Sequence, residues 1–162
     1  MGGNSTIIAT PKWPGEFAHI EALALLNVVS EKTFIERGAE SLHLSPEKAG
    51  ERLDARVREL TGFRLDEETP LPYANHVKVP TLMAQLRRDF LIDGEKDRQA
   101  IFDASGAQVK ELLWIENSNQ RFYAYNRFGQ HPERLVDWFD RHMGGTGTDR
   151  TSRQPTPAHT AV

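Results

Sequence analysis

Val79-Pro80-Thr81-Leu82-Met83-Ala84-Gln85-Leu86, followed by Arg87-Arg88-Asp89, is the stretch that decides the fold. It is a short apolar run with a proline at its start, where the missing N–H is tolerated. Two other runs match it: residues 20–29, read as Ile20-Glu21-Ala22-Leu23-Ala24-Leu25-Leu26-Asn27-Val28-Val29, and Glu111-Leu112-Leu113-Trp114-Ile115. Short apolar runs without polar alternation suit parallel strands buried on both faces. The first run is so apolar that it belongs inside a sheet, with neighbours on both sides.

Helical patterns lie between these runs. Phe34, Ile35, Ala39 and Leu42 mark a helix from about Glu31. Ser45-Pro46-Glu47 is a start signal, with a serine N-cap and proline in the first turn. Ala49, Leu53, Val57 and Leu60 then recur at helical spacing, and Gly62 supplies the stop. Residues 98–104 form a short helix with Ile101 and Phe102 inward and Gly106 as its stop. Asp93 reads as a helix N-cap. Pro132 opens a last helix whose buried stripe is Leu135, Val136, Trp138, Phe139 and Met143, closed by Gly144. Trp114, Trp138 and Phe139 read as core aromatics. The order strand, helices, strand, helix, strand, helix defines an α/β fold. It predicts a short, mostly parallel three-stranded sheet flanked by helices. Residues 144–162 carry no aromatic side chain and read as a flexible tail.

Composition narrows the function. The 162 residues carry 20 Lys+Arg against 23 Asp+Glu, a net charge of −3. That excludes a strongly basic nucleic-acid binder, which needs a cationic surplus on one face. Cysteine is absent, so disulfides, thiolate metal sites and a cysteine nucleophile within these residues are excluded. The six histidines show no metal-ligand spacing, so neither metal nor cofactor is expected. No apolar run approaches the roughly 20 residues of a membrane span. Residues 1–10 lack a basic segment ahead of an apolar core, so a cytoplasmic protein is expected. Ser45 and Lys48 match the Ser-x-x-Lys of penicillin-recognising enzymes, but the companion Ser-Asp-Asn and Lys-Thr-Gly motifs are missing. The N-cap reading of Ser45 is preferred.

Val-Pro-Thr-Leu, four more strand residues, a short turn and Asp89 together resemble the acid strand of the α/β-hydrolase superfamily. The third run and a terminal helix headed His131-Pro132-Glu133-Arg134 are similar to the end of that fold. The nearest flavour is the dienelactone-hydrolase-like esterase branch. The resemblance covers residues 1–143 and implies the C-terminal half of such a fold. Residues 20–29 would be the sixth of the family's eight strands and residues 31–66 a cap-like helical insertion. Met1-Gly2-Gly3 then resembles the end of a nucleophile elbow, with Met1, Gly2 and Gly3 as the oxyanion remnant. The nucleophile itself would precede Met1.

The resemblance implies hydrolysis of ester-like small molecules, with Asp89 as triad acid. The family's histidine position falls at Gln120 or Arg121, neither of which is a general base. His131 remains the candidate base, reaching the site if the aromatic-rich loop of residues 122–130 folds back. That loop packs in the core or forms the wall of a substrate pocket. Residues 5–10 are β-branched and read as a strand by propensity, whereas the resemblance implies a helix. Asp89 has a bland alternative, a loop carboxylate paired with Arg87 or Arg88. With nucleophile and usual histidine missing, the chain alone is expected to lack hydrolase activity. The alternative is a non-catalytic interaction protein that forms a homodimer through the exposed edge of its first strand.

Overall fold

The computed structural model describes residues 2–89, 91–92, 94–116 and 123–144. The readings of Met1, Asp93, Gln120, Arg121 and the tail from residue 145 onward lie outside the described residues. The chain opens with helix α1 (Gly2–Lys12) and strand β1 (Leu23–Leu26). Helices α2 (Glu31–Ser41) and α3 (Pro46–Thr61) follow, then 3-10 turns at Leu65–Glu67 and Leu71–His76. Strand β2 (Thr81–Leu86), a π-helical turn at Gly94–Gln99 and helix α4 (Ala100–Ala104) come next. Strand β3 (Lys110–Ile115) and helices α5 (Tyr123–Gln130) and α6 (Glu133–His142) complete the described chain.

The sheet has the order β1-β2-β3 and both pairings are parallel. Leu23 sits opposite Thr81, and Thr81 opposite Lys110. All six residues of the central β2 are buried, as its unbroken apolar run predicts. Successive residues face opposite sides of the sheet. Met83 packs with Ile7 of α1, Leu25, Val28 and Ile101 on one face. Ala84 and Leu86 pack with Ile115 and Phe128 of α5 on the other.

Strand β1 is shorter than residues 20–29 and forms an edge of the sheet rather than lying inside it. Ile20 is held in a turn by its N–H to the Phe17 carbonyl, and Asn27 ends the strand at φ 49°. Asparagine is among the few side chains that enter that left-handed region readily. Residues 5–10 are helical, against their β propensity, because α1 lays Ile7 into the core below β1.

The cap signals at Ser45 and Gly62 behave as read: Ser45 Oγ accepts from Lys48 N at the start of α3. Ser30, which carried no such reading, likewise accepts from Thr33 N at the start of α2. Gly62 adopts φ 80° and donates its N–H to the Arg58 carbonyl. The α3 stripe does not reach a core: no residue of α3 is buried, and Leu53 and Leu60 are exposed.

Three further expectations are corrected. Residues 123–130 form helix α5 and not a loop; burying Phe128 against Ala84 and Leu86 outweighs the modest helix propensity of Tyr, Asn and Phe. In α6 only Trp138 is buried, while Val136 and Met143 are exposed. The helix turns about 100° per residue, so Leu135 and Trp138 share a face that Val136 leaves. The short helix near residue 100 ends at Ser105 instead of at a glycine. Lys110 Nζ there donates to the carbonyls of Phe102, Asp103 and Ser105 at 2.9, 3.0 and 3.0 Å. Gly106 serves packing: a Cβ there would collide with the Asn75 carbonyl. Trp114 is half-buried, with the Arg87 guanidinium 4.3 Å from its ring centroid.

Candidate active site

A parallel sheet presents ligands to the carboxyl ends of its strands, where loops and helix N-termini converge. At the end of β1, the first turn of α1 presses on the chain. A Cβ on Gly3 would lie 2.9 Å from Val28 Cγ2, so only glycine allows this approach. The next residue, Asn4, is buried and grips Val29 from both sides. Its Nδ2 donates to the Val29 carbonyl at 2.8 Å, and its Oδ1 accepts from Val29 N at 3.1 Å.

Two other elements hold the same segment. Gln85 of β2 donates Nε2 to the Val28 carbonyl at 3.1 Å. Both carboxylate oxygens of the buried Asp97 accept from Ser30 N, at 2.8 and 2.9 Å. Three consecutive residues, Val28 to Ser30, are thus pinned by side chains from α1, β2 and the π-helical turn. Backbone groups buried there would each cost roughly 1–3 kcal/mol if left unpaired. The pinned segment feeds directly into α2, so these contacts fix where that helix leaves the sheet. Gln85 Oε1 itself has no hydrogen-bond partner.

Asp89 lies three residues beyond the end of β2, in a half-buried turn. Its Oδ1 accepts from Leu91 N at 3.0 Å and its carbonyl from Ile92 N at 3.3 Å. Arg87, one of the arginines offered as its ion-pair partner, instead engages Glu116 at 2.9 Å. His131 stands between α5 and α6 with its N–H on the Arg127 carbonyl at 2.7 Å. Its Nδ1 lies 3.4 Å from Glu133 Oε1, both side chains more than half exposed. Gly3 thus packs against the end of β1, Asp89 follows the end of β2, and His131 stands in a surface pair with Glu133.

Sequence reasoning missed Asn4, Gln85 and Asp97. Gln85 carried a signal, being an amide in the middle of an apolar strand run. Asn4 and Asp97 carried none, because their partners are 25 and 67 residues away. Among the described residues no group of three or more His, Asp or Glu side chains is placed to hold a metal ion. No helix among them is long and apolar enough to cross a membrane.

No protein-family model matches the sequence, and no curated protein matches it. Solved structures do. One is a metagenome-derived lipolytic enzyme described with LipS and LipT, at 17% identity and TM-score 0.56, covering 88% of this chain and 62% of that one. Another is the Pyrococcus furiosus esterase Pf2001, at 18% identity and TM-score 0.55, covering 85% of this chain and 51% of the esterase. The chain spans about half to three fifths of the length of these structures. At such identities the likeness is one of fold. The three-stranded parallel sheet flanked by helices is an α/β arrangement shared with part of these two folds.

Proposed function

We propose that this chain carries the acid and histidine side of an ester-acting α/β-hydrolase of the dienelactone-hydrolase-like branch. Asp89 is its triad acid, His131 its candidate base, and Met1, Gly2 and Gly3 the residues that follow a nucleophile. The observation that carries the reading is the packing of Gly3 on Val28 at the carboxyl end of β1. A helix that follows a nucleophile must start hard against the sheet, so that the next backbone N–H points at the developing oxyanion. Support also comes from the fold likeness to a lipolytic enzyme and an esterase.

The chemistry assigns the parts. A serine or cysteine attacks the acyl carbon, a histidine takes its proton and later returns it to the leaving group, and a carboxylate orients the histidine. In this reading Met1 would follow the nucleophile and supply the first oxyanion N–H. We therefore expect no ester hydrolysis by this chain alone. Purified protein should give no turnover of p-nitrophenyl butyrate above that of Asp89→Ala. A rate that survives Asp89→Ala and disappears in His131→Ala overturns the assignment. The genomic reading frame ahead of Met1 tests the half-fold reading directly. In-frame βα units ending in Ser or Cys support it, and a stop codon there removes it.

A second reading, a non-catalytic homodimer, rests on the edge position of β1. A monomer by sedimentation at micromolar concentration eliminates it.

A further inference from the structure

Where α1 meets the helical insertion, a cavity of about 310 Å³ opens to solvent. Its walls combine two chemistries. Trp13 and Phe63 present large aromatic surfaces that are more than half exposed. Glu31, Glu67 and Glu68 supply carboxylates, against one cation, Lys12. Isolated exposed aromatics need no explanation, but two beside three carboxylates in one concavity form a recognisable receptor. Aromatic faces attract cations through the ring quadrupole, and neighbouring carboxylates add a Coulomb attraction.

The cavity already holds an ammonium group of the protein's own. Lys12 Nζ lies 5.7 Å from the ring centroid of Phe63 and 5.7 Å from that of Tyr73. Those distances are within the range of a cation–π contact. Beside the cavity, Tyr73 donates its hydroxyl to the Glu67 carbonyl, and Glu67 Oε2 accepts from Arg64 N. One lysine does not balance three carboxylates. Burial, and then the neighbouring Glu68, push the Glu31 carboxyl above its ordinary range.

We propose that this cavity binds a quaternary ammonium group, which displaces the Lys12 ammonium from the aromatic faces and neutralises Glu31 and Glu68. A trimethylammonium head is bulky, weakly hydrated and cationic, the properties that an aromatic and carboxylate-lined cavity selects over a hydrated metal ion. The site is independent of the hydrolase reading, since it uses neither Asp89 nor His131.

Calorimetric titration of the full chain with choline chloride tests this. The neutral isostere 3,3-dimethylbutan-1-ol and potassium chloride at matched ionic strength serve as controls. Choline should bind at least about tenfold more tightly than the isostere, and potassium should give no heat. Phe63→Ala should weaken choline about threefold, a loss expected of one exposed cation–π face. Lys12→Met should tighten it, because the competing ammonium is gone. That gain separates a binding role from a structural one, which would only lose affinity. Equal binding of choline and isostere, or weaker binding by Lys12→Met, overturns the proposal. Co-sedimentation with phosphatidylcholine vesicles distinguishes the source. Retention on vesicles assigns a lipid headgroup, and choline binding without retention assigns a free ligand. Absence of both removes the site.

Discussion

The end of β2 and the helical insertion that precedes it follow opposite packing regimes. Every residue of β2 is buried, and the segment beside it is pinned by Asn4, Gln85 and Asp97. Helix α3 buries nothing, and Leu42, Leu44, Leu60 and Phe63 around it remain exposed. Both regions have clean local sequence signals. The difference teaches that a correct local pattern fixes an element's type and ends, whereas the number of neighbours fixes its energetic weight.

The largest expected effect comes from deleting side-chain volume in the two regions. Leu82→Ala, at a position 0% exposed, should destabilise by about 2–5 kcal/mol in urea unfolding. Leu60→Ala, at 65% exposure, should stay within about 0.5 kcal/mol. Similar losses at both sites would erase the contrast.

A smaller effect tests the pin. Asn4→Ala leaves both backbone groups of Val29 without their partner and should cost about 1–3 kcal/mol. Hydrogen exchange at Val29 should speed up with it. An unchanged exchange rate would mean that the pin does not hold the entry to α2.

Smaller again is a gain. Gly50 lies inside α3 with open space where a Cβ would go. Gly50→Ala should stabilise by about 0.5–1 kcal/mol through helix propensity alone. Gly3→Ala, in the crowded first turn of α1, should destabilise instead. The two opposite signs, for one substitution in two helices, sharpen the comparison most directly.

The smallest is a pH effect at the boundary between the regions. The Glu31 carboxyl is raised in the folded state, so folded protein holds its proton to higher pH than unfolded protein. This group's stabilising contribution is fully present below the unfolded value and is lost as pH rises through the folded one. Relative to Glu31→Gln, the native protein should therefore gain stability as pH falls from 7 towards 4. A drift in the opposite direction would show that neither burial nor Glu68 raises the Glu31 carboxyl.

Much of the fold was legible because its signals are short-range. The apolar run at residues 79–86 gave β2, Ser45-Pro46 gave the start of α3, and Gly62 gave its end. Each depends on a few consecutive residues. Helix α5 was not legible, since Phe128 is buried against Ala84 and Leu86, 44 and 42 positions earlier. The candidate site divides in the same way. The place of Asp89 just after the strand was legible, while the Asn4 and Asp97 contacts depend on which distant backbone groups come to rest beside them.

The sequence by itself determined the parallel α/β architecture, the approximate start of α2, both ends of α3, and the position of Asp89 after β2. Periodicity, caps and turn residues act over a few bonds and do not need the rest of the molecule. Tertiary structure alone decided that residues 5–10 are helical, that β1 lies at an edge, that Gly3 touches Val28, and that aromatic and acidic side chains enclose one cavity. Those outcomes depend on which surfaces are brought together from far apart in the chain, and packing then overrides local preference because each buried contact excludes water from both partners.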